Sequence, residues 1–194
     1  MRLFVAVYPP PESVGHLGAQ VARLRVGAAA AAGTNVRLAD PAHLHVTLAF
    51  LGDVEAARLV EVESALGLAA EAFHDGRNAP PRFSLGGGGR FGQGRSTVLW
   101  VGLRGEVEAL HVLAGLVRSR LRQARLPCDD ARPFRPHLTV ARPGERMDLA
   151  DIEADQADLD DYQGPEWPAT ELLLIRSHLD PRPSRYDRLA AWPL

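Results

Sequence analysis

Short apolar runs closed by turn residues alternate along this chain with stretches of helical spacing. Leu3–Tyr8 (LFVAVY) is apolar, rich in β-branched residues and followed by three prolines, which predicts a buried strand. From Glu12 to about Ala32, Val14, Leu17, Val21 and Leu24 recur at helical spacing and Gly33 supplies a stop, so one helix is expected there. His45–Leu51 (HVTLAFL), closed by Gly52–Asp53, predicts a second strand, and Val54 to Phe73 a helix. Arg82–Leu85 reads as a third strand ahead of the glycines Gly86–Gly89. The region Gly86–Gly94 (GGGGRFGQG) lacks the Gly-Lys-Ser/Thr ending of a phosphate loop and is expected to be a flexible surface loop.

The second half repeats this order. Thr97–Leu103 predicts a strand, and Val107, Leu110, Leu113, Val117 and Leu121 mark a helix with an Arg-rich opposite face. His137–Val140 (HLTV) and Glu171–Ile175 follow as strands, before a C-terminal tail. Superposing His45 on His137 nearly aligns the first strands (Leu3 with Thr97) and the helices (Leu17 with Leu110, Val21 with Leu113). A strand–helix–strand unit used twice implies a pseudo-twofold protein whose halves face each other across a groove.

The shared polar signature of the two units is His-x-Thr: His45–Val46–Thr47–Leu48 and His137–Leu138–Thr139–Val140. Strand side chains alternate, so each His and Thr share one face while the aliphatic pair enters the core. Seven His and five Thr in 194 residues predict about 0.2 such pairs by chance. Two copies at matching points therefore carry meaning. A neutral imidazole can take a proton while a charged one gives a proton, and threonine hydroxyls can donate to anionic oxygens. That set fits in-line displacement at phosphorus without a metal. Zinc on His43, His45 and His137 is the competing reading; it lacks a carboxylate or Cys at ligand spacing and leaves the threonines without purpose. His16, His74, His111 and His178 have no patterned companions.

Composition narrows the class. With 46% hydrophobic and 24% charged residues the chain reads as a folded globular domain. No apolar run approaches the ~20 residues of a membrane helix, and the N-terminal apolar stretch is too short for a signal peptide. A cytoplasmic protein without membrane association is expected. Cys128 is the one cysteine, which excludes an internal disulfide and a multi-Cys zinc site. All 22 basic residues are Arg, so a Walker-type lysine or a nucleotidyl-lysine mechanism is excluded. The segment Asp148–Asp161 is wholly acidic in its charges, whereas Arg132, Arg135, Arg142 and Arg146 cluster near the second motif and suit an anionic partner.

At these residues the chain resembles the two-histidine (2H) phosphoesterase superfamily. Within it, the likeness is to the bacterial and archaeal RNA 2′,3′-cyclic phosphodiesterases, also called 2′-5′ RNA ligases. It runs nearly end to end, through RLFVAVYPP, LHVTLAFLGDV, RPFRPHLTVAR and SRYDRLAAWPL. It implies an α+β bilobal fold over residues 1–194, with two antiparallel sheets flanked by helices and the active site in the groove between the lobes. It also implies metal-independent and cofactor-free hydrolysis of a terminal 2′,3′-cyclic phosphate to a 2′-phosphomonoester, with reverse 2′-5′ ligation as a side reaction. His45 and His137 match the catalytic positions; Thr47, Thr139 and Arg142 match the phosphate-binding ones. We assign His45 as acid for the O3′ leaving group and His137 as base for water, roles that pseudo-symmetry allows to be exchanged. Arg142 lies an odd number of residues from His137 and reaches that face only if the strand ends or bulges.

The expected partner is an RNA end with a cyclic phosphate, contacted over one to three nucleotides, and the expected state is a monomer with no obligate protein partner. Net charge −2 and few aromatics argue against a long single-strand track. Phe50, Phe91, Phe134 and Tyr186 are the candidates to stack on a base, and Arg135 to touch RNA. Two alternatives remain: the same chemistry on a small cyclic phosphate or 2′-5′ oligonucleotide, and a non-catalytic RNA-end binder.

Overall fold

A computed structural model describes residues 1–129, 133–178 and 185–194. Arg132 and Ser184, which begin two of the family blocks, lie outside these residues. The elements in chain order are β1 (Arg2–Val7), α1 (Pro11–Val21), α2 (Arg25–Ala31), β2 (Arg37–Leu38), β3 (Val46–Asp53), α3 (Leu59–Asp75), β4 (Arg82–Phe91) and β5 (Val98–Gly105). They continue with α4 (Val107–Gln123), β6 (Leu138–Arg142), α5 (Leu149–Asp160), β7 (Trp167–Pro168), β8 (Glu171–His178) and β9 (Arg185–Pro193).

Two antiparallel sheets organise the molecule, one in the order β3-β1-β8-β9 and the other β2-β6-β5-β4-β7. The predicted duplication is visible: β1–α1–β3 and β5–α4–β6 are the two copies. Each copy's helix crosses over. α4 follows β5 of the second sheet yet packs on β3 of the first, while α1 packs against β4 of the second. This exchange lets one apolar core run through both lobes, from Leu3, Val5 and Leu48 to Leu99, Val101 and Leu138. The opposite face of the first sheet forms a small separate cluster of Phe4, Ala6, Leu173 and Ile175, with Tyr8 and Tyr186 against it.

The single helix expected from Glu12 to Ala32 is two helices. Leu24 is extended and buried between them, and Asp155 on α5 caps the second helix by accepting the Arg25 and Val26 amides at 2.8 and 2.9 Å. Gly27 makes the sharp fold-back possible, because a Cβ there would collide with the Val21 carbonyl. The glycine run is likewise not a loop. Gly86 to Gly89 are strand residues of β4, and the region becomes irregular only beyond Phe91. Gly87 takes φ +88° beside a register shift, while a Cβ on Gly88 would strike the α5 backbone and one on Gly89 the Trp100 ring. The acidic segment forms α5, anchored by buried Ile152 and Leu159, and the expected C-terminal tail is β9, paired along β8.

Candidate active site

The Pro41–His43 turn, capped by Asp40 through the Ala42 amide, delivers the chain into β3 with His45 at its start. In both halves the first polar residue of the motif precedes the strand proper and the threonine lies within it. His45 Nδ1 is 2.6 Å from the His43 carbonyl, and His137 Nδ1 is 2.7 Å from the Arg135 carbonyl. A carbonyl only accepts, so Nδ1 carries the hydrogen in both rings. Each neutral imidazole therefore presents Nε2 as a bare lone pair, and neither Nε2 has a partner among the described residues. The same local hydrogen bond, made twice, fixes both tautomers.

The walls differ between the lobes. His45 is stacked between Phe4 (ring centroids 4.8 Å apart) and Tyr8 (5.4 Å), with Tyr186 edge-on at 5.6 Å. His137 meets Phe91 edge-on at 4.9 Å and Trp100 at 5.8 Å. The Arg135 guanidinium lies 5.5 Å from the Trp100 ring centre. Removal from water disfavours the imidazolium and pushes His45 down to about 4, with the charges of His43 and His137 adding to the effect. Burial also lowers His137, the less deeply buried of the two, and its carbonyl bond partly offsets this. Because His45 responds to charge on His137, the two rings share one electrostatic space although they come from different lobes. Burial raises the Tyr8 hydroxyl to about 12, so it stays a neutral donor.

Thr47 and Thr139 are half-buried on the same faces as their histidines, and among the described residues neither hydroxyl makes a hydrogen bond. The condition placed on Arg142 is met. Trp100 pairs with Thr139 and Leu99 with Ala141, leaving Val140 as the extra residue of a bulge. The alternation reverses there: Leu138 is buried, Thr139 half-buried, Val140 and Ala141 both buried, and Arg142 exposed. Arg142 thus returns to the side of Thr139, and its charge acts on the Tyr186 hydroxyl of the other lobe. β3 carries the twin of this bulge at Leu48, with the same burial sequence from Val46 to Phe50. Phe50, half exposed, occupies the place that Arg142 holds in the second lobe. The His43 ring sits against Tyr186 at 4.4 Å and near Asp40, and among the described residues no three His, Cys, Asp or Glu side chains converge as a metal site would need.

The model of the 2′-5′ RNA ligase superfamily matches residues 9–181. The chain belongs to that superfamily. It is 36% identical over 155 residues to the RNA 2′,3′-cyclic phosphodiesterase of Escherichia coli K12, covering 78% of this chain and 76% of the relative. Its fold is similar to that of a Thermus thermophilus protein, with a TM-score of 0.73, 27% identity, and coverage of 100% of this chain and 98% of the other. It is also similar to E. coli LigT solved with ATP, with a TM-score of 0.65, 28% identity, and coverage of 100% and 97%.

In this 2′-5′ RNA ligase superfamily member, the motif residues were legible in sequence but their walls were not. Tyr8 and Phe4 share the face of β1 that backs His45, which the period-two alternation of Phe4, Ala6 and Tyr8 contained as a signal. Trp100 had no such signal, because the pairing of β5 with β6 brings it to His137 and its ring fits only over the bare backbone of Gly89 on β4. Of the stacking candidates, Phe91 is engaged with Trp100 and His137, Tyr186 with His43 and His45, and Phe134 with His111 and Arg118 of α4. Phe50 keeps an open face.

Proposed function

We propose that this protein opens the 2′,3′-cyclic phosphate at an RNA end to a 2′-phosphomonoester, using His45 and His137 as a proton-exchanging pair. The paired, carbonyl-anchored imidazoles with free Nε2 atoms are the observation that carries this reading. Water attacks phosphorus, the P–O3′ bond breaks, one imidazole takes the water proton and the other delivers a proton to O3′. Thr47, Thr139 and Arg142 donate to the non-bridging oxygens, where negative charge grows in the transition state. The same site with a ribose 5′-hydroxyl in place of water forms a 2′-5′ linkage. Both imidazole–hydroxyl couples come from one chain, so the reading needs no second copy, and the groove suits one to three terminal nucleotides.

The electrostatics of the free site supports exchanging the two roles assigned from sequence. His45, held down to about 4, is neutral near pH 7 and suits water activation. Burial lowers His137 as well, but it is the less deeply buried ring, so it takes up a proton more readily than His45 when an anionic phosphate enters and suits protonation of O3′. The direct test is product analysis. Metal-stripped protein in EDTA, given a dinucleotide ending in a 2′,3′-cyclic phosphate, should yield the 2′-phosphate alone. A 3′-phosphate product, activity abolished by EDTA, or binding without turnover overturns the proposal.

A further inference from the structure

The cationic end of the groove extends beyond the one arginine that the motif supplies. Arg37 on β2 is the direct cross-strand partner of Arg142 on β6. Directly opposed strand residues point to the same side, with their Cα atoms about 5 Å apart. Arg37 and Arg142 therefore stand side by side next to Thr139. From the other lobe, Arg2 shares the β1 face of Phe4, and its charge acts on the Tyr186 hydroxyl together with that of Arg142. All three arginines are exposed, and among the described residues none forms an ion pair or a guanidinium hydrogen bond. Elsewhere this chain pairs its arginines freely: Arg25, Arg58, Arg77, Arg82, Arg90 and Arg188 each hold a carboxylate.

Like charges directly opposite one another destabilise a sheet. An Arg–Arg pair without a carboxylate thus works against the fold and in favour of an anion. One guanidinium beside Thr139 serves the terminal phosphate, which leaves Arg37 without an assigned ligand. We propose that Arg37, with Arg2 of the other lobe adding its charge, binds the phosphodiester immediately upstream of the terminal nucleotide. This rests on the RNA-end reading and deepens it, because the subsite selects a polynucleotide end over a cyclic mononucleotide. A planar guanidinium suits the two non-bridging oxygens of such a linkage.

Binding of the reaction product tests this without requiring turnover. Two 2′-phosphate-ended dinucleotides are compared, one joined by a phosphodiester and one by an uncharged methylphosphonate. The wild-type protein should favour the charged linkage roughly ten-fold, the scale of one charge-assisted hydrogen bond. In Arg37→Ala that preference should fall toward one, and Arg37→Lys should restore part of it. The slope of log affinity against log salt for the charged ligand should become shallower by about 0.7 on losing one phosphate contact. Equal wild-type affinity for the two linkages overturns the proposal, as does an undiminished preference in Arg37→Ala. The wild-type comparison needs no variant, so it decides even if a substitution perturbs folding. Absence of hydrolysis would count against the phosphodiesterase reading alone, since the binding preference is read independently.

Discussion

Keeping His45 neutral has a measurable consequence for stability. Its pKa falls from an ordinary 6.5 to about 4 on folding, chiefly through removal from water between Phe4 and Tyr8. A folded-state value below the unfolded one means that the unfolded chain binds the proton more readily. Stability is then fully present above pH 6.5 and is lost as pH falls toward 4. At about 1.4 kcal/mol per unit the complete loss is about 3 kcal/mol, of which about 2 kcal/mol develops by pH 5. His137 acts in the same direction. The carboxylates with lowered values, Glu61, Glu106 and Asp187, titrate in the unfolded chain only near 4.5 and below, so the window from pH 6.5 to 5 isolates the imidazoles. His45→Asn keeps a donor for the His43 carbonyl and removes the titration. Urea unfolding at pH 7.5 and pH 5 should show the wild type losing about 2 kcal/mol more than this variant. Equal losses would refute the claim that folding holds His45 unprotonated.

Other substitutions probe separate parts of the account. Thr47→Ala and Thr139→Ala should each lower kcat by the equivalent of ~2–4 kcal/mol while leaving the unfolding midpoint in place, because neither hydroxyl has an internal partner among the described residues. A substrate with sulfur in place of the bridging O3′ needs no protonation of its leaving group. His137→Ala should be largely rescued on it and His45→Ala should not, and the opposite pattern restores the assignment made from sequence. Gly89→Ala drives a methyl into the Trp100 ring and should cost about 1–3 kcal/mol, with a changed tryptophan fluorescence spectrum and reduced turnover, since Trp100 backs His137. Asp155→Ala leaves the Arg25 and Val26 amides uncapped and should cost about 3 kcal/mol in thermal or urea unfolding without changing the acid–base pH profile.

How much of this was legible follows from where each signal resides. The His–Thr couples are local, since period-two alternation alone puts His45 with Thr47 and His137 with Thr139, and the structure keeps both pairings. Arg142 was legible only conditionally. Strand parity turned it away, and the bulge at Val140 that turns it back is a property of pairing with β5. The break between α1 and α2 was hidden for a related reason: the helical spacing of Val14 to Leu24 is real, but the cap on the second helix comes from Asp155, 130 residues distant. The glycine run misled because its lack of side chains signals a loop in isolation and close approach in context, where α5 and Trp100 fill the space. α5 escaped because a buried carboxylate interrupts its apolar face, and β9 because its register shift breaks the alternation against β8.

The central claim is that two imidazole–hydroxyl couples from opposite lobes close on one phosphorus atom. A crystal structure with a nucleoside 2′,3′-cyclic vanadate, which adopts the five-coordinate geometry of the transition state, tests it most directly. The account predicts both Nε2 atoms and both threonine hydroxyls within about 2.6–3.2 Å of oxygens on a single vanadium. A vanadate held by one lobe alone, with the other histidine turned away, would contradict it.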